Sequence, residues 1–209
     1  MTMVQAWGCE SAGGPVTSVQ ISRREPRATD VVVDIEFCGV CHSDIHTARG
    51  EWGAPHLPVV PGHEIVGRVT AVGGAVTKFA IGDVVGVGVI VDSCRDCEAC
   101  ASGYENYCLN GNVGTYNSME LDGSGFTFGG YSQRIVVDER FVVRMPSTVD
   151  LAAAAPLLCA GITLWSPLKH WNAGPGKRIA VMGLGGLGHM GVKLAKALGA
   201  HVTVISHSA

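Results

Sequence analysis

The stretch that decides the fold is RIAVMGLGGLGHMGVKLAKALGAHVTVI, Arg178 to Ile205. It opens and closes on short apolar runs, RIAVM and HVTVI, each of strand length. Between them Leu187, Met190, Leu194 and Leu198 recur at helical spacing and are expected to face a sheet. Strand, helix, strand in this order make a βαβ unit with parallel pairing. The first strand runs into Gly183, Leu184, Gly185, Gly186, Leu187 and Gly188, a glycine loop at the start of the helix. In such a loop the first glycine permits a tight turn and the second lets backbone N–H groups approach a pyrophosphate at the positive helix terminus. The third permits close packing of helix on strand. A dinucleotide is the expected ligand. The end of the next strand selects which one, because a carboxylate about 20 residues beyond the loop would accept the ribose hydroxyls of NAD. Here the strand ends in Ser206, His207 and Ser208, which repel no phosphate and can donate to one, so NADP is expected.

Upstream the texture is different. VVVDIEF (31–37), EIVGRVTAVG (64–73), GDVVGVGVIV (82–91) and YSQRIVVDERFVVRMP (131–146) are β-branched runs closed by glycine or proline. The sequence therefore predicts an all-β region over 1–150 and, from Leu151, where Ala and Leu take over, an α/β region over 151–209. One βαβ unit does not cover both faces of a parallel sheet. The second region is accordingly expected to be the start of a cofactor domain, incomplete at its C-terminal end.

CRDCEACASGYENYC, Cys94 to Cys108, places four of the eight cysteines within one short loop. Two disulfides or one metal ion would explain it. The N-terminus MTMVQAWGCESAGG has neither a charged segment nor a long apolar one, which gives no sign of secretion and points to a cytoplasmic, reducing setting. Thiols there are read as metal ligands, and Cys94, Cys97, Cys100 and Cys108 are spaced to enclose one structural zinc tetrahedrally. With 16% charged residues and a net charge of −3, nucleic acid is not an expected partner. The longest apolar run, LAAAAPLLCAGITLW (151–165), is interrupted by Pro156 and Gly161 and is too short to cross about 30 Å of hydrocarbon, so no membrane segment is expected. Cys9 and Cys38 lack ligand-spaced neighbours and are expected to be buried structural residues.

A second group of ligand-type residues is dispersed: Cys41 and His46 in CGVCHSDIH, His63 and Glu64 in PGHE, Cys159 in LLCAG. In the order GVCHSDIH, VPGHEIVG, four-cysteine loop, APLLCAGIT, GLGGLG, the chain resembles the zinc-dependent medium-chain alcohol dehydrogenases, and in particular their cinnamyl-alcohol-dehydrogenase-like branch. The resemblance implies a GroES-like catalytic domain followed by a Rossmann cofactor domain. It also implies that Cys41, His63 and Cys159 hold a catalytic zinc, with Glu64 as an alternate fourth ligand and Asp44 orienting His63. Ser43 and His46 would relay a proton, and His42 and Thr163 would touch the cofactor. The implied enzyme carries two zinc ions and NADP, interconverts a primary alcohol and its aldehyde, and forms a homodimer. Two alternatives stand beside it: a polyol dehydrogenase of the same superfamily, in which the third ligand is usually a carboxylate rather than Cys159, and a zinc-folded fragment without activity.

Overall fold

The computed structural model describes residues 1–207, so Ser208, one of the three residues expected to meet the 2′-phosphate, lies outside the described residues. The chain divides into two compact units, Met1–Ala155 and a second that begins at Pro156.

The first unit opens with an antiparallel hairpin, β1 (Thr2–Gly8) and β2 (Thr17–Arg23). Its inward residues Val4, Ala6, Val19 and Ile21 alternate with more exposed ones and, with Val60, form a small buried cluster against which Phe128 and Tyr131 pack. The main sheet has five antiparallel strands. Along the chain come β3 (Asp30–Cys38), helix α1 (His42–Arg49), β4 (Ile65–Val72), β5 (Val84–Val87), β6 (Ile90–Asp92), helix α2 (Glu98–Ala101), β7 (Val113–Gly114), β8 (Arg134–Asp138), β9 (Val142–Arg144) and helix α3 (Leu151–Ala154). Five of these strands pair in the order β8-β3-β4-β5-β9, while β6 and β7 form a separate short ribbon. Val31, Val33, Ile65, Val69, Val85, Val87, Ile135 and Val137 fill the core of the sheet and are all but fully buried. The run 82–91 is thus two strands, β5 and β6, belonging to different sheets. Two helical segments, α1 and α2, interrupt the region expected to be all β. Helix α3, on the far side of the compositional change at Leu151, is part of the first unit and packs on β3 and β4.

The register of β3 against β4 positions the site. Cys38 pairs with Ile65 at one end of the ladder. The chain leaving β3 therefore runs beside the chain entering β4, and Cys41 comes close to His63 and Glu64 although the two segments are well separated in sequence. Close approach here depends on glycine: a Cβ on Gly39 would stand 2.0 Å from Glu64 Oε2, inside any permissible contact.

In the second unit, α4 (Ala160–His170) precedes β10 (Arg178–Met182), α5 (Gly186–Ala197) and β11 (His201–Ile205). β10 and β11 pair in parallel, Arg178 with His201 through Met182 with Ile205, which is the expected βαβ unit. The packed stripe of α5 is closed by small residues standing among the expected large ones. Gly191 and Ala195 are its buried residues, Met190, Leu194 and Leu198 are half-buried, and Leu187 is exposed. The small residues let α5 come close: a Cβ on Gly191 would meet Leu164 of α4 at 3.1 Å.

Ile65 is completely buried at the end of β4 that follows His63 and Glu64. Ile65→Ala is expected to lower the unfolding free energy of the first unit by about 2–5 kcal/mol in urea denaturation. A loss below about 1 kcal/mol would contradict the placement of this residue in the core.

Candidate metal centre and dinucleotide loop

Asp44 organises the dispersed group. It sits in the first turn of α1, is 2% exposed, and its two oxygens accept hydrogen bonds from three parts of the chain. Oδ1 accepts from His63 Nδ1 at 3.0 Å and from the Gly62 amide at 3.1 Å. Oδ2 accepts from the Cys41 amide at 3.0 Å and from the Tyr131 hydroxyl at 2.9 Å. Burial alone would raise the pKa of this carboxyl, but the His63, Cys41 and Tyr131 hydrogen bonds outweigh it and hold the group below the ordinary Asp range. Ionised Asp44 requires a proton on His63 Nδ1, so the imidazole lone pair is on Nε2, the tautomer in which a histidine binds a metal. The ligand atoms of Cys41, His63 and Glu64 lie within 4.8 Å of one another. Burial pushes the Cys41 thiol up, but hydrogen bonding to Ser43, whose Oγ is 3.5 Å from Cys41 Sγ, and proximity to His63 bring it below the usual thiol range.

Around this core, His46 hydrogen-bonds through Nδ1 to Glu51 and packs its ring against Trp52 and His42, with centroids 4.9 and 4.7 Å away. His42 is exposed and Ser43 lies beside it at the start of α1. Cys159 and Thr163 belong to the second unit: Cys159 immediately precedes α4, and its carbonyl accepts the Thr163 amide at 3.0 Å. Three participants carry no sequence signal of their own. Glu51 reads as an ordinary loop carboxylate, Tyr131 lies 87 residues from Asp44, and Gly62, at φ 101°, reads as a turn glycine.

The four-cysteine loop forms a separate centre. The sulfurs of Cys94, Cys97, Cys100 and Cys108 lie within 4.8 Å of one another, and those of Cys94 and Cys100 are 3.9 Å apart. A disulfide would require about 2.05 Å. Four thiolates at about 2.3 Å from one zinc have tetrahedral edges of about 3.8 Å, so the spacing fits zinc and excludes a bond between these two sulfurs. Backbone N–H groups of Cys100 and Leu109 lower the Cys97 thiol to about 6, while the Asp96 carboxyl pushes Cys94 up to about 12. Four thiolates this close repel one another, so a cation at their centre is what would let all four ionise together. Arg95 anchors the loop to the sheet, reaching Asp92 at 2.5 Å and Asp138 at 3.2 Å.

The glycine loop behaves as its spacing predicts. Gly183 takes φ 83°, and its amide donates to Ile205 O at 2.8 Å. A Cβ on Gly188, in the first turn of α5, would lie 2.1 Å from Gly183 O, so only glycine lets that turn sit so close to the loop. Around Gly185 and Gly186 a Cβ would meet nothing within 4 Å, which leaves the helix N-terminus accessible to a ligand. Leu184 is exposed beside them, and Ser206 and His207 follow directly on β11.

The first unit thus combines a buried His–Asp pair beside a thiol with a four-thiol loop, and the second carries a dinucleotide-type βαβ unit. Residues 27–147 match the alcohol dehydrogenase GroES-like domain, and the chain belongs to that family. Over 209 residues it is 60% identical to an NADP-dependent alcohol dehydrogenase of Mycolicibacterium smegmatis, covering 100% of this chain and 60% of that protein. Over 206 residues it is 58% identical to an aldehyde reductase of Escherichia coli, covering 98% and 59%. Among solved structures it is similar to a cinnamyl alcohol dehydrogenase of Sorghum bicolor, with a TM-score of 0.96 at 49% identity over 99% of this chain and 59% of that one. It is also similar to a cinnamyl alcohol dehydrogenase of Helicobacter pylori complexed with NADP(H), with a TM-score of 0.93 at 43% identity over 97% and 58%. The chain spans about 60% of the length of the curated relatives it matches. No single helix among the described residues is long and apolar enough to cross a membrane.

None of the eight cysteines is in a disulfide. Alkylation in denaturant without reductant, read by mass spectrometry, is expected to modify every one of them; a pair left unmodified would mean that a cystine exists and would undo the metal reading of the loop.

Proposed function

We propose that the chain is the catalytic unit and the first part of the cofactor unit of a zinc-dependent oxidoreductase that transfers hydride between NADP(H) and a primary alcohol/aldehyde pair. The observation that carries this reading is the Asp44–His63 pair, which fixes a metal-binding tautomer of a buried histidine beside Cys41 and Glu64. Cys41, His63 and Cys159 are the proposed protein ligands, with Glu64 as the alternate fourth. Two thiolates and an imidazole suit zinc better than magnesium or calcium. The Cys94, Cys97, Cys100 and Cys108 loop holds the second, structural zinc in this reading.

When bound, zinc supplies a Lewis-acid position that lowers the pKa of a substrate hydroxyl, and the nicotinamide exchanges hydride with the substrate carbon. The chain's own residues handle the proton. Ser43, beside Cys41, accepts it from the alcohol and passes its own toward His46, whose ring is held by Glu51. In aldehyde reduction the same groups deliver it. The amides at the start of α5, from Gly185 to Gly188, meet the pyrophosphate, with Leu184 and Leu187 flanking it; His42 and Thr163 are the proposed contacts nearer the nicotinamide. Ser206, His207 and Ser208 take the 2′-phosphate, a role supported by hydroxyls standing where an NAD site has a carboxylate. A cytoplasmic setting and assembly as a homodimer belong to the same proposal.

Two measurements on the full-length enzyme test this reading. In an NADPH-dependent assay over a panel of aldehydes, Ser43→Ala is expected to lower the hydride-transfer-limited rate by about 10²–10⁴-fold; an unchanged rate contradicts the relay. Ser206→Asp is expected to raise KM for NADPH while sparing that for NADH, and wild-type kcat/KM equal or higher with NADH would reverse the cofactor assignment.

A further inference from the structure

Tyr131 makes a contact that neither the zinc ligands nor the proton relay explains. Its hydroxyl donates to Asp44 Oδ2 at 2.9 Å. The backbone around it is held from both sides: the Tyr131 amide donates to Pro61 O at 3.0 Å, and the Trp7 amide donates to Tyr131 O at 2.7 Å. Its neighbours follow the same ladder, with the Gly130 amide on Gly62 O at 2.8 Å and the Gly129 amide on Val60 O at 2.7 Å. The ring packs on the Val4, Ala6, Val19, Ile21 and Val60 cluster. At Gly62 any Cβ would fall 2.8 Å from Tyr131 Cδ1, so the segment that carries His63 is pressed against this ring. The tyrosine is therefore placed by β1, by the 60–62 segment and by the hairpin core before Asp44 is considered. Its hydroxyl reaches Asp44 from a segment separate from both the start of α1 and the 62–63 turn.

We propose that Tyr131 is a positioning residue of the metal centre, whose hydroxyl fixes the Asp44 carboxylate so that His63 presents Nε2 to the metal at a set angle. This rests on the reading of Cys41 and His63 as zinc ligands. The two Asp44 oxygens have separate duties. Oδ2 is pinned by the Tyr131 hydroxyl and the Cys41 amide, which prevents rotation about χ2 and leaves Oδ1 in line with His63 Nδ1 and the Gly62 amide. Without the hydroxyl, one pin on Oδ2 is lost, the carboxylate can tilt, and the imidazole loses its fixed direction. A carboxylate that orients a metal-bound histidine is worth about 10–100-fold in metal affinity, and a group acting through that carboxylate is expected at the low end of the range, about 10-fold.

The test is chelator competition for zinc on the 209-residue chain and on full-length enzyme, for wild type, Tyr131→Phe, Asp44→Asn and the double variant. The Cys94, Cys97, Cys100 and Cys108 loop serves as the internal control for folding. The expected result is about 10-fold weaker zinc binding at the Cys41/His63 centre in Tyr131→Phe, with unchanged binding in the loop. Cobalt substituted at that centre should show shifted and broadened visible ligand-field bands. In the Asp44→Asn background the same change should cost less than about 3-fold, because the group through which Tyr131 acts is already altered. If Tyr131→Phe does not fold, p-fluorophenylalanine in place of Tyr131 fills the para position without donating, and the same loss is expected. Equal affinity and an unchanged cobalt spectrum in the Tyr131 variants, or equal losses in the wild-type and Asp44→Asn backgrounds, overturn the inference alone. A wild-type chain that binds only the loop zinc overturns the metal reading on which it rests.

Discussion

A buried carboxylate with four donors is the constraint on which the site depends. Placing an ionised group at 2% exposure is costly unless nearly every lone pair is satisfied. Asp44 meets that condition by drawing donors from the start of α1, from the Gly62–His63 turn and from Tyr131. The requirement works in both directions. The donors keep Asp44 charged, and the charge keeps three separate stretches of chain together at the open end of the β3–β4 ladder. Helix α1 fits this arrangement locally as well, since Asp44 reaches back to the Cys41 amide as the carboxylate of a capping box, with Gly50 closing the helix at φ 72°. One side chain thus caps a helix, orients His63 and closes a polar cluster.

Backbone proximity makes this possible, and glycine makes the backbone proximity possible. Gly39 leaves room for Glu64, Gly62 for Tyr131 and Cys38, and Gly188 for the Gly183 carbonyl. At each of these positions a methyl group would have to displace backbone, a packed ring or a buried carboxylate. The four-cysteine loop uses a different device. Its position on the sheet comes from Arg95, which spans Asp92 and Asp138, and its interior from four sulfurs at spacings that suit a central dication.

What is legible in the sequence is what is local. The glycine loop, the four cysteines and the long β-branched runs each fall within a short window, although the run 82–91 divides into β5 and β6 of different sheets. Tyr131 is not legible as part of the site, because the pairing of 129–131 with 60–62 that brings it to Asp44 joins segments far apart in the chain. Glu51 escapes notice because a loop carboxylate has no distinguishing pattern until His46 is seen against it. The strands β1 and β2 are faint because their apolar residues are few and separated by polar ones, enough for a one-faced hairpin but weak as a pattern. The periodicity of the large residues of α5 marks the stripe that packs but not the residues that make its closest contacts. Its close contacts with α4 and β10 are made at Gly188 and Gly191, and Ala195 is fully buried, so it is the small residues that set the packing distance.

In the proposed function two metal centres of unlike chemistry form, one of four thiolates and one of mixed sulfur and imidazole. Zinc content by elemental analysis, combined with zinc K-edge X-ray absorption on the purified protein, tells the two centres apart. Two zinc ions per chain are expected, with sulfur at about 2.3 Å and nitrogen or oxygen at about 2.0–2.2 Å as the minority shell. A single zinc per chain, or two in a shell of sulfur only, would contradict the proposal.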